Sequence, residues 1–330
     1  MVHTLMVAVI VTALAFDFFN GFHDSANAIS TIVITRTLKP GQAVVLAGLA
    51  NFVGYFAFGV AVASTIGKGV VGVEYITLPI LVAALLGAIL WNIITWLLGL
   101  PTSSSHALIG GLVGAAVAAS GLKVIIMAGL GKILLFILIA PVLGGLGAIV
   151  FTNIVLFLAR GAKPAPAARW FKRLQLVSAS VYAVAHGTND AQKTMGVIAL
   201  ALLAGGVNAT FKLDSWVVFS CYTAMAVGTM LGGWRIVRTM GTRITKIHSM
   251  EGFCAETSSS IVMLLTAHFG IPVSTTHVIA GSIMGVGTVE HAAAVRWVTA
   301  RRIIWAWLLT IPCTAACSAL VLVVTRLFTG

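Results

Sequence analysis

The sequence predicts an all-α polytopic membrane protein, arranged as an inverted structural repeat with broken helices and two re-entrant hairpins. Of its 330 residues, 59% are hydrophobic and only 8% are charged, with a mean hydropathy of +1.07. A soluble protein carries about 25% charged residues. Residues 78–100, 125–158 and 303–324 are apolar stretches long enough to cross a bilayer. In addition, two polar strings recur in the same order along the chain.

Residues 1–159 form the first predicted half, whose helices are bounded by glycine, proline and asparagine residues. The first helix is expected to break at Asn20-Gly21, because both residue types are weak helix formers. The predicted helical segments of this half are 3–19, 24–37, 42–66, 78–100, 103–120 and 123–158.

Residues 160–175 hold five cations and two prolines, and they are predicted to form a cytoplasmic linker. The second half, residues 176–330, repeats the plan of the first, and its first helix is expected to break at His186-Gly187. Its predicted helical segments are 176–185, 188–203, 216–237, 253–271, 274–286 and 303–327.

The net charge of +12 indicates topology rather than nucleic-acid binding, because the cations cluster in the connecting loops. The loop after the first broken helix carries Arg36 and Lys39 and is placed inside. Its counterpart, residues 205–215, carries Lys212 as its one cation. In the next pair of equivalent loops it is the second half that carries more cations, so the halves are predicted to have opposite orientations. Both termini are then expected outside.

The segments around Pro101 and Pro272 allow two interpretations. They are either re-entrant hairpins whose polar tips stop near mid-membrane, or pairs of full crossings. Each half has three crossings in the first case and five in the second, so the inversion survives either way. Hairpins are favoured, because both turns repeat the same proline and hydroxyl groups.

Two aspartates are the strongest functional candidates. Residues 21–24 (Gly-Phe-His-Asp) are echoed 166 residues later by residues 187–190 (Gly-Thr-Asn-Asp), so Asp24 and Asp190 are equivalent. The chain has only eight acidic residues, and a carboxylate inside a membrane is costly and usually functional. The alternative is an interfacial acid that caps a half-helix. Asp17 has an alanine as its counterpart and is assigned a structural role.

A hydroxyl-rich turn recurs as well. Residues 101–106 (Pro-Thr-Ser-Ser-Ser-His) are echoed 171 residues later by residues 272–277 (Pro-Val-Ser-Thr-Thr-His). Hydroxyls after a proline suit a helix start, whose first amides lack partners and attract anions. Two such starts facing each other would surround a tetrahedral oxyanion, whereas ordinary capping is the alternative. The candidate oxyanion ligands are Ser103, Ser104, Ser105, Ser274, Thr275 and Thr276.

The other polar residues of the strings complete the candidate site. Gln192 and Lys193 join the oxyanion ligands, and Lys193 either contacts the oxyanion or pairs with Asp190. Two aspartates repel an anion, so a cation or protons must neutralise them, which links the loading of both species. No resident metal or cofactor is expected, because no zinc-ligand spacing occurs. The candidate cation or proton residues are Asp24, Asn27, Asn189, Asp190 and His23.

In residues 21–28 and 186–196, the chain resembles the PiT family of inorganic phosphate transporters, and the two hydroxyl turns also look like family motifs. The similarity extends over nearly the whole chain. It implies a cation-coupled phosphate symporter, not an enzyme, that forms a homodimer. The long central loop of animal members is absent, so the chain is similar to bacterial members and is expected in a bacterial inner membrane.

One departure from the family pattern bears on the coupling cation. His23 stands where the family commonly has asparagine, which favours protons over sodium. We therefore expect import of inorganic phosphate with protons, either alone or as a divalent metal–phosphate complex. The alternatives are a sodium-coupled phosphate symporter and a sulfate transporter of the same family. An anion channel is the alternative from another class.

Overall fold

The computed structural model describes residues 2–57 and 61–329, and every labelled element of this part is a helix. Those of the first half are α1 (Val2–Ile34), α2 (Pro40–Ala57), α3 (Ala61–Gly69), α4 (Leu78–Leu98), α5 (Ser104–Ser120) and α6 (Met127–Ala159). Those of the second half are α7 (Pro164–Ala204), α8 (Ser215–Leu231), α9 (Trp234–Arg238), α10 (Ser249–His268), α11 (Thr275–Glu290) and α12 (Trp297–Thr329).

Four helices, α1, α4, α6 and α12, have the length and hydropathy that a membrane span requires. Two more spans arise in the described part of the chain if each bent helix pair counts as one. These pairs are α2 with α3, bent by 85°, and α8 with the helical residues 234–243, bent by 60°. The chain is thus a multi-pass membrane protein, as its composition predicts.

The predicted breaks at Asn20-Gly21 and His186-Gly187 are wrong, because α1 and α7 run through these positions without interruption. Instead, the two glycines allow neighbouring helices to cross at short distance. A Cβ on Gly21 would lie 2.2 Å from the carbonyl oxygen of Met225 in α8. A Cβ on Gly187 would lie 2.5 Å from the carbonyl oxygen of Asn51 in α2. Small residues allow membrane helices to approach this closely.

Most of the predicted linker, residues 160–175, is helical. Only residues 160–163 are non-helical, because α7 begins at Pro164, and proline suits a first helical turn where its missing N–H is not needed. Each half instead changes direction between successive helices, namely α2 and α3 in the first half and α8 and the helical residues 234–243 in the second. The predicted segment 42–66 is divided into α2 and α3, with residues 58–60 outside the described residues. The predicted segment 216–237 first ends at Leu231.

The two halves pack against each other reciprocally. Helix α5 of the first half lies against α12 of the second, and α11 of the second half lies against α6 of the first. In the same way, α1 packs on α8 and α7 packs on α2. Each of these contacts has its counterpart in the other half, as the sequence repeat predicts. The helices that carry the two aspartates, α1 and α7, also contact each other.

The turn between α4 and α5 meets the turn between α10 and α11 inside the protein. The Thr276 hydroxyl donates to the carbonyl oxygen of Thr102 at 3.2 Å, and both residues are buried. Full crossings in an inverted repeat would place these turns at opposite membrane surfaces. The contact therefore agrees with the predicted re-entrant hairpins and brings both hydroxyl turns to one place.

Candidate functional site

Asp24 and Asp190 lie together in the interior, although one belongs to α1 and the other to α7. Their carboxylate oxygens and a ring nitrogen of His186 lie within 4.8 Å of one another. Asp24 is 2% exposed, and Asp190 and His186 are fully buried. The crossing of α1 with α7 therefore places the two equivalent acids of the repeat in one buried cluster.

The middle hydroxyl of each turn donates to the aspartate of its own half. Ser104 Oγ donates to Asp24 Oδ2 at 2.8 Å, and Thr275 Oγ1 donates to Asp190 Oδ2 at 3.1 Å. Ser104 and Thr275 occupy equivalent positions, three residues after the proline of each turn. The repeat seen in the sequence is thus also a repeat of hydrogen bonds.

The third hydroxyl of each turn is bound from the opposite half. Asn27 Nδ2 of the first half donates to Thr276 Oγ1 at 2.8 Å. Lys193 Nζ of the second half donates to Ser105 Oγ. Because Asn27 and Lys193 are equivalent in the repeat, this exchange follows the pseudo-two-fold relation between the halves.

The first hydroxyl of each turn caps a helix. Ser103 Oγ accepts from the backbone N–H of His106, and Ser274 Oγ accepts from that of His277, both at 3.2 Å. These bonds satisfy amides at the starts of α5 and α11. The capping alternative is therefore realised at Ser103 and Ser274, although each hydroxyl proton can still be donated to a ligand.

Lys193 brings a positive charge to the two acids. Its ammonium forms an ion pair with Asp190 and also donates to the backbone carbonyl of Val273 at 3.1 Å. The side chain is only 1% exposed. With both aspartates ionised and the histidines neutral, Asp24, Asp190 and Lys193 carry a net charge of −1. This site repels an anion unless a further positive charge arrives.

His23 lies beside the first aspartate. Its Nδ1 is 2.8 Å from Asp24 Oδ1, and its Nε2 is 3.1 Å from the hydroxyl of Thr95 in α4. One nitrogen of a neutral imidazole donates and the other accepts, so these contacts hold the ring in a fixed orientation. His23 thus contacts one of the two aspartates directly, and its predicted role toward a cation or proton stays a prediction.

Two other predicted site residues contact the backbone of neighbouring helices. Asn189 Nδ2 donates to the carbonyl oxygens of Ala185 at 3.0 Å and of Met263 at 3.1 Å, which ties α7 to α10. Gln192 Oε1 accepts from the backbone N–H of Val62 at 2.9 Å, at the start of α3. Both side chains are buried, and their predicted roles toward cation and oxyanion stay predictions.

Sequence reasoning missed Asn20 and His186 as site residues. Asn20 Oδ1 lies 2.5 Å from Ser104 Oγ, and His186 Nε2 lies 3.2 Å from Asp190 Oδ2. The sequence does contain a pattern that indicates both residues, because the offset of 166 that relates the two aspartates also relates Asn20 to His186. Each polar residue sits one helical turn before the aspartate of its half.

The arrangement is suited to holding a small oxyanion beside a titratable or cation-binding cluster. Helices α5 and α11 both begin at this cluster, and the unpaired amides of a helix start attract negative charge. Hydroxyls and an ammonium add donors from both halves. All six candidate hydroxyl residues are at most 5% exposed, so an oxyanion bound here would be removed from bulk water.

Comparison with known proteins is consistent with this geometry. A family model described as "Phosphate transporter family" matches residues 20–318. A "Probable low-affinity inorganic phosphate transporter" of Rhizobium meliloti (strain 1021) is 49% identical over 317 residues, which cover 96% of this chain and 95% of that protein. A protein of the same description from Bacillus subtilis (strain 168) is 41% identical over 321 residues, covering 96% of each chain.

A solved structure described as "The sodium-dependent phosphate transporter" is similar in fold. Its TM-score is 0.88 at 25% sequence identity, and the match covers 98% of this chain and 99% of that one. The similarity therefore includes both halves and both hydroxyl turns.

Proposed function

Because the chain belongs to the phosphate transporter family, we propose that it is a secondary symporter that imports inorganic phosphate together with protons. Members of this family are transporters and not enzymes. The observation that carries the proposal is the matched hydrogen bonding of the two hydroxyl turns, each of which donates to the aspartate of its own half and accepts from Asn27 or Lys193 of the other half. Each half supplies one acid, one turn and one helix start, so a single central site serves both halves.

Phosphate binds, in this proposal, between the two turns. The hydroxyls that now donate to Asp24 and Asp190 turn to the phosphate oxygens, and Lys193 adds a charge-assisted bond. The starts of α5 and α11 contribute their dipoles from opposite sides. Gln192 stays a proposed ligand from the second half. The ligands so proposed are Ser103, Ser104, Ser105, Ser274, Thr275, Thr276, Gln192 and Lys193.

Coupling follows from the charge of the site. With a net charge of −1, the pocket disfavours a second anion, and protonation of Asp24 or Asp190 removes that barrier. A protonated carboxyl also becomes a hydrogen-bond donor to phosphate. Each proton thus raises phosphate affinity, and by linkage phosphate raises proton affinity equally. The proposed coupling residues are Asp24, Asn27, Asn189, Asp190 and His23.

Protons are favoured over sodium because His23 and His186 lie against the two carboxylates, and an imidazole nitrogen can accept or donate a proton. Lys193 also supplies a fixed cation beside Asp190. A sodium-coupled symporter is the second candidate, since the similar solved structure is described as sodium-dependent. The clustering of Asp24, His186 and Asp190 would also suit a small cation.

The proposal includes an orientation. We place the protein in a bacterial inner membrane as a homodimer, with both termini outside and residues 160–175 on the cytoplasmic side, between an inverted pair of halves, 1–159 and 176–330. The distribution of cations supports this, because residues 160–173 hold five of them and the positive-inside rule assigns such segments to the cytoplasm.

Uptake of labelled phosphate into proteoliposomes tests the proposal. Proton and sodium gradients are imposed separately, each with and without magnesium. Concentrative uptake under the proton gradient alone is expected, and a magnesium requirement would indicate a metal–phosphate complex as the substrate. Uptake driven by a sodium gradient alone would identify sodium as the coupling cation. Stronger inhibition by sulfate than by unlabelled phosphate would identify sulfate as the substrate. Phosphate flux that never exceeds equilibrium would indicate a channel.

A further inference from the structure

Asp17 is a third buried acid that the central site does not use. It lies on α1 seven residues before Asp24, which is two helical turns, so both acids lie on the same helix face about 10 Å apart. Asp17 is fully buried. Neither of its carboxylate oxygens makes a hydrogen bond of normal length and angle.

The surroundings of Asp17 offer no positive charge to offset an ionised carboxylate. The polar groups that face it are the hydroxyl of Thr194, the amide of Asn20 and the thiol of Cys221. The titratable groups that interact with it are Cys221 and Tyr222 of α8 and Asp190 of α7, which is itself acidic. Over residues 2–57 and 61–329, the structure gives Asp17 no ion pair.

Packing alone does not require an acid at this position. The equivalent residue of the second half is Ala183, which is also buried. An ionised carboxylate without a partner in a membrane interior costs several kcal/mol, and such residues are rare unless they are functional. The neutral, protonated form of Asp17 avoids most of this cost.

A series of polar side chains joins Asp17 to the central site. Asn20 lies one turn further along α1, and its Oδ1 is 2.5 Å from Ser104 Oγ. The same Ser104 hydroxyl lies 2.8 Å from Asp24 Oδ2. Polar groups at short distances therefore connect Asp17 to Asp24.

We propose that Asp17 binds one coupling proton in addition to those of the central pair, holding it in this closed arrangement and releasing it when the site opens. Loading forms one O–H bond on the carboxylate, and release breaks that bond and transfers the proton to water. The inference rests on the proposed proton symport, and it adds an off-centre proton site that one half carries and the other lacks.

The test compares the wild-type protein with Asp17→Asn, which mimics a permanently protonated carboxyl. Phosphate binding is measured by calorimetry in buffers of different ionisation enthalpy, which gives the number of protons taken up per phosphate. The pH dependence of proteoliposome uptake is measured alongside. In Asp17→Asn we expect proton-driven accumulation to fall and the pH profile to change, while phosphate exchange at equal pH on both sides is retained.

Two further variants keep the result interpretable. Asp17→Ala reproduces the residue of the other half and should behave like Asp17→Asn, whereas Asp17→Glu keeps a titratable group and should retain coupling. A wild-type proton count and pH profile in both neutral variants would overturn the role of Asp17 alone. Absence of proton-driven uptake in the wild-type protein would instead overturn the proposed symport, and with it this inference.

Discussion

Asn27 and Lys193 occupy equivalent positions in the two halves, and each donates to a hydroxyl of the opposite half. The geometry is conserved across the repeat, but the charge is not. One half offers a neutral amide and the other an ammonium paired with Asp190. The site is therefore symmetric in shape and asymmetric in electrostatics, and this difference sets the first prediction.

Replacing Lys193 by Asn makes the two halves alike and lowers the formal charge of the site from −1 to −2. We expect phosphate affinity to fall at least tenfold, measured as Kd by calorimetry. Folded-state stability should also fall, by about 3–5 kcal/mol, because Asp190 then lacks its buried partner. Lys212→Asn, which removes an exposed lysine paired with Asp214, is the control and should change neither quantity.

Asp24→Asn and Asp190→Asn should each reduce phosphate uptake to background while the protein stays folded in the membrane. Asparagine keeps the shape of the side chain but cannot exchange a proton, so the link between charge and substrate loading is lost. Uptake into proteoliposomes and size-exclusion profiles of the purified variants provide the two readouts. Wild-type transport by Asp190→Asn would contradict the mechanism.

Ser104→Ala and Thr275→Val should weaken phosphate binding by similar amounts, because the two hydroxyls are equivalent. A hydrogen bond to a charged group contributes about 1.5–3 kcal/mol, which corresponds to an increase in Kd of about tenfold to a hundredfold. Ser274→Ala removes a proposed ligand that also caps α11, so it should raise Kd and in addition cost about 1 kcal/mol of stability. An unchanged Kd in both Ser104→Ala and Thr275→Val would contradict the proposed phosphate site.

Gly21→Ala and Gly187→Ala should destabilise the protein, because each new methyl group would meet a backbone carbonyl of the crossing helix. Overpacking of this kind costs about 1–3 kcal/mol, and thermal unfolding in detergent measures it. Gly131→Ala is the matched control, since its Cβ would have no neighbour within 4 Å. The control should be neutral or slightly stabilising, as alanine favours a helix by up to about 1 kcal/mol.

Glu256→Ala should loosen the contact between α1, α7 and α10. The Glu256 carboxylate accepts from Thr31 at 2.6 Å, from Gln175 at 3.2 Å and from Ser178 at 2.5 Å. Its loss leaves three buried donors without this acceptor, so we expect a decrease of about 3 kcal/mol in the free energy of unfolding. Glu290→Ala, at an exposed acid, should leave thermal unfolding unchanged.

The main site residues could be predicted because they repeat. Asp24 with Asp190, and Ser104 with Thr275, were identified from two short strings at nearly constant offsets, and the structure brings them together. The cross-half bonds of Asn27 and Lys193 could not be predicted. They depend on how α1 and α7 cross, which no local pattern specifies.

The helix breaks were mispredicted for a physical reason. Glycine weakens an isolated helix, yet it also permits close packing of membrane helices, and a sequence without its partner does not distinguish these uses. The partners of Gly21 and Gly187 are Met225 and Asn51, both distant in the chain. The sequence suggests only a structural role for Asp17 for a similar reason, since its complete burial is visible only in the structure.

The reciprocal packing of α5 on α12 and of α11 on α6 has a consequence for the assembly of the chain. Because α5 and α11 pack on helices of the opposite half, each half synthesised alone would leave these contact surfaces uncovered. The covalent connection at residues 160–163 is short and non-helical, and it contributes none of these contacts. If the chain were cut at that point, we expect the two fragments to associate, because each half supplies the helix on which α5 or α11 of the other half packs.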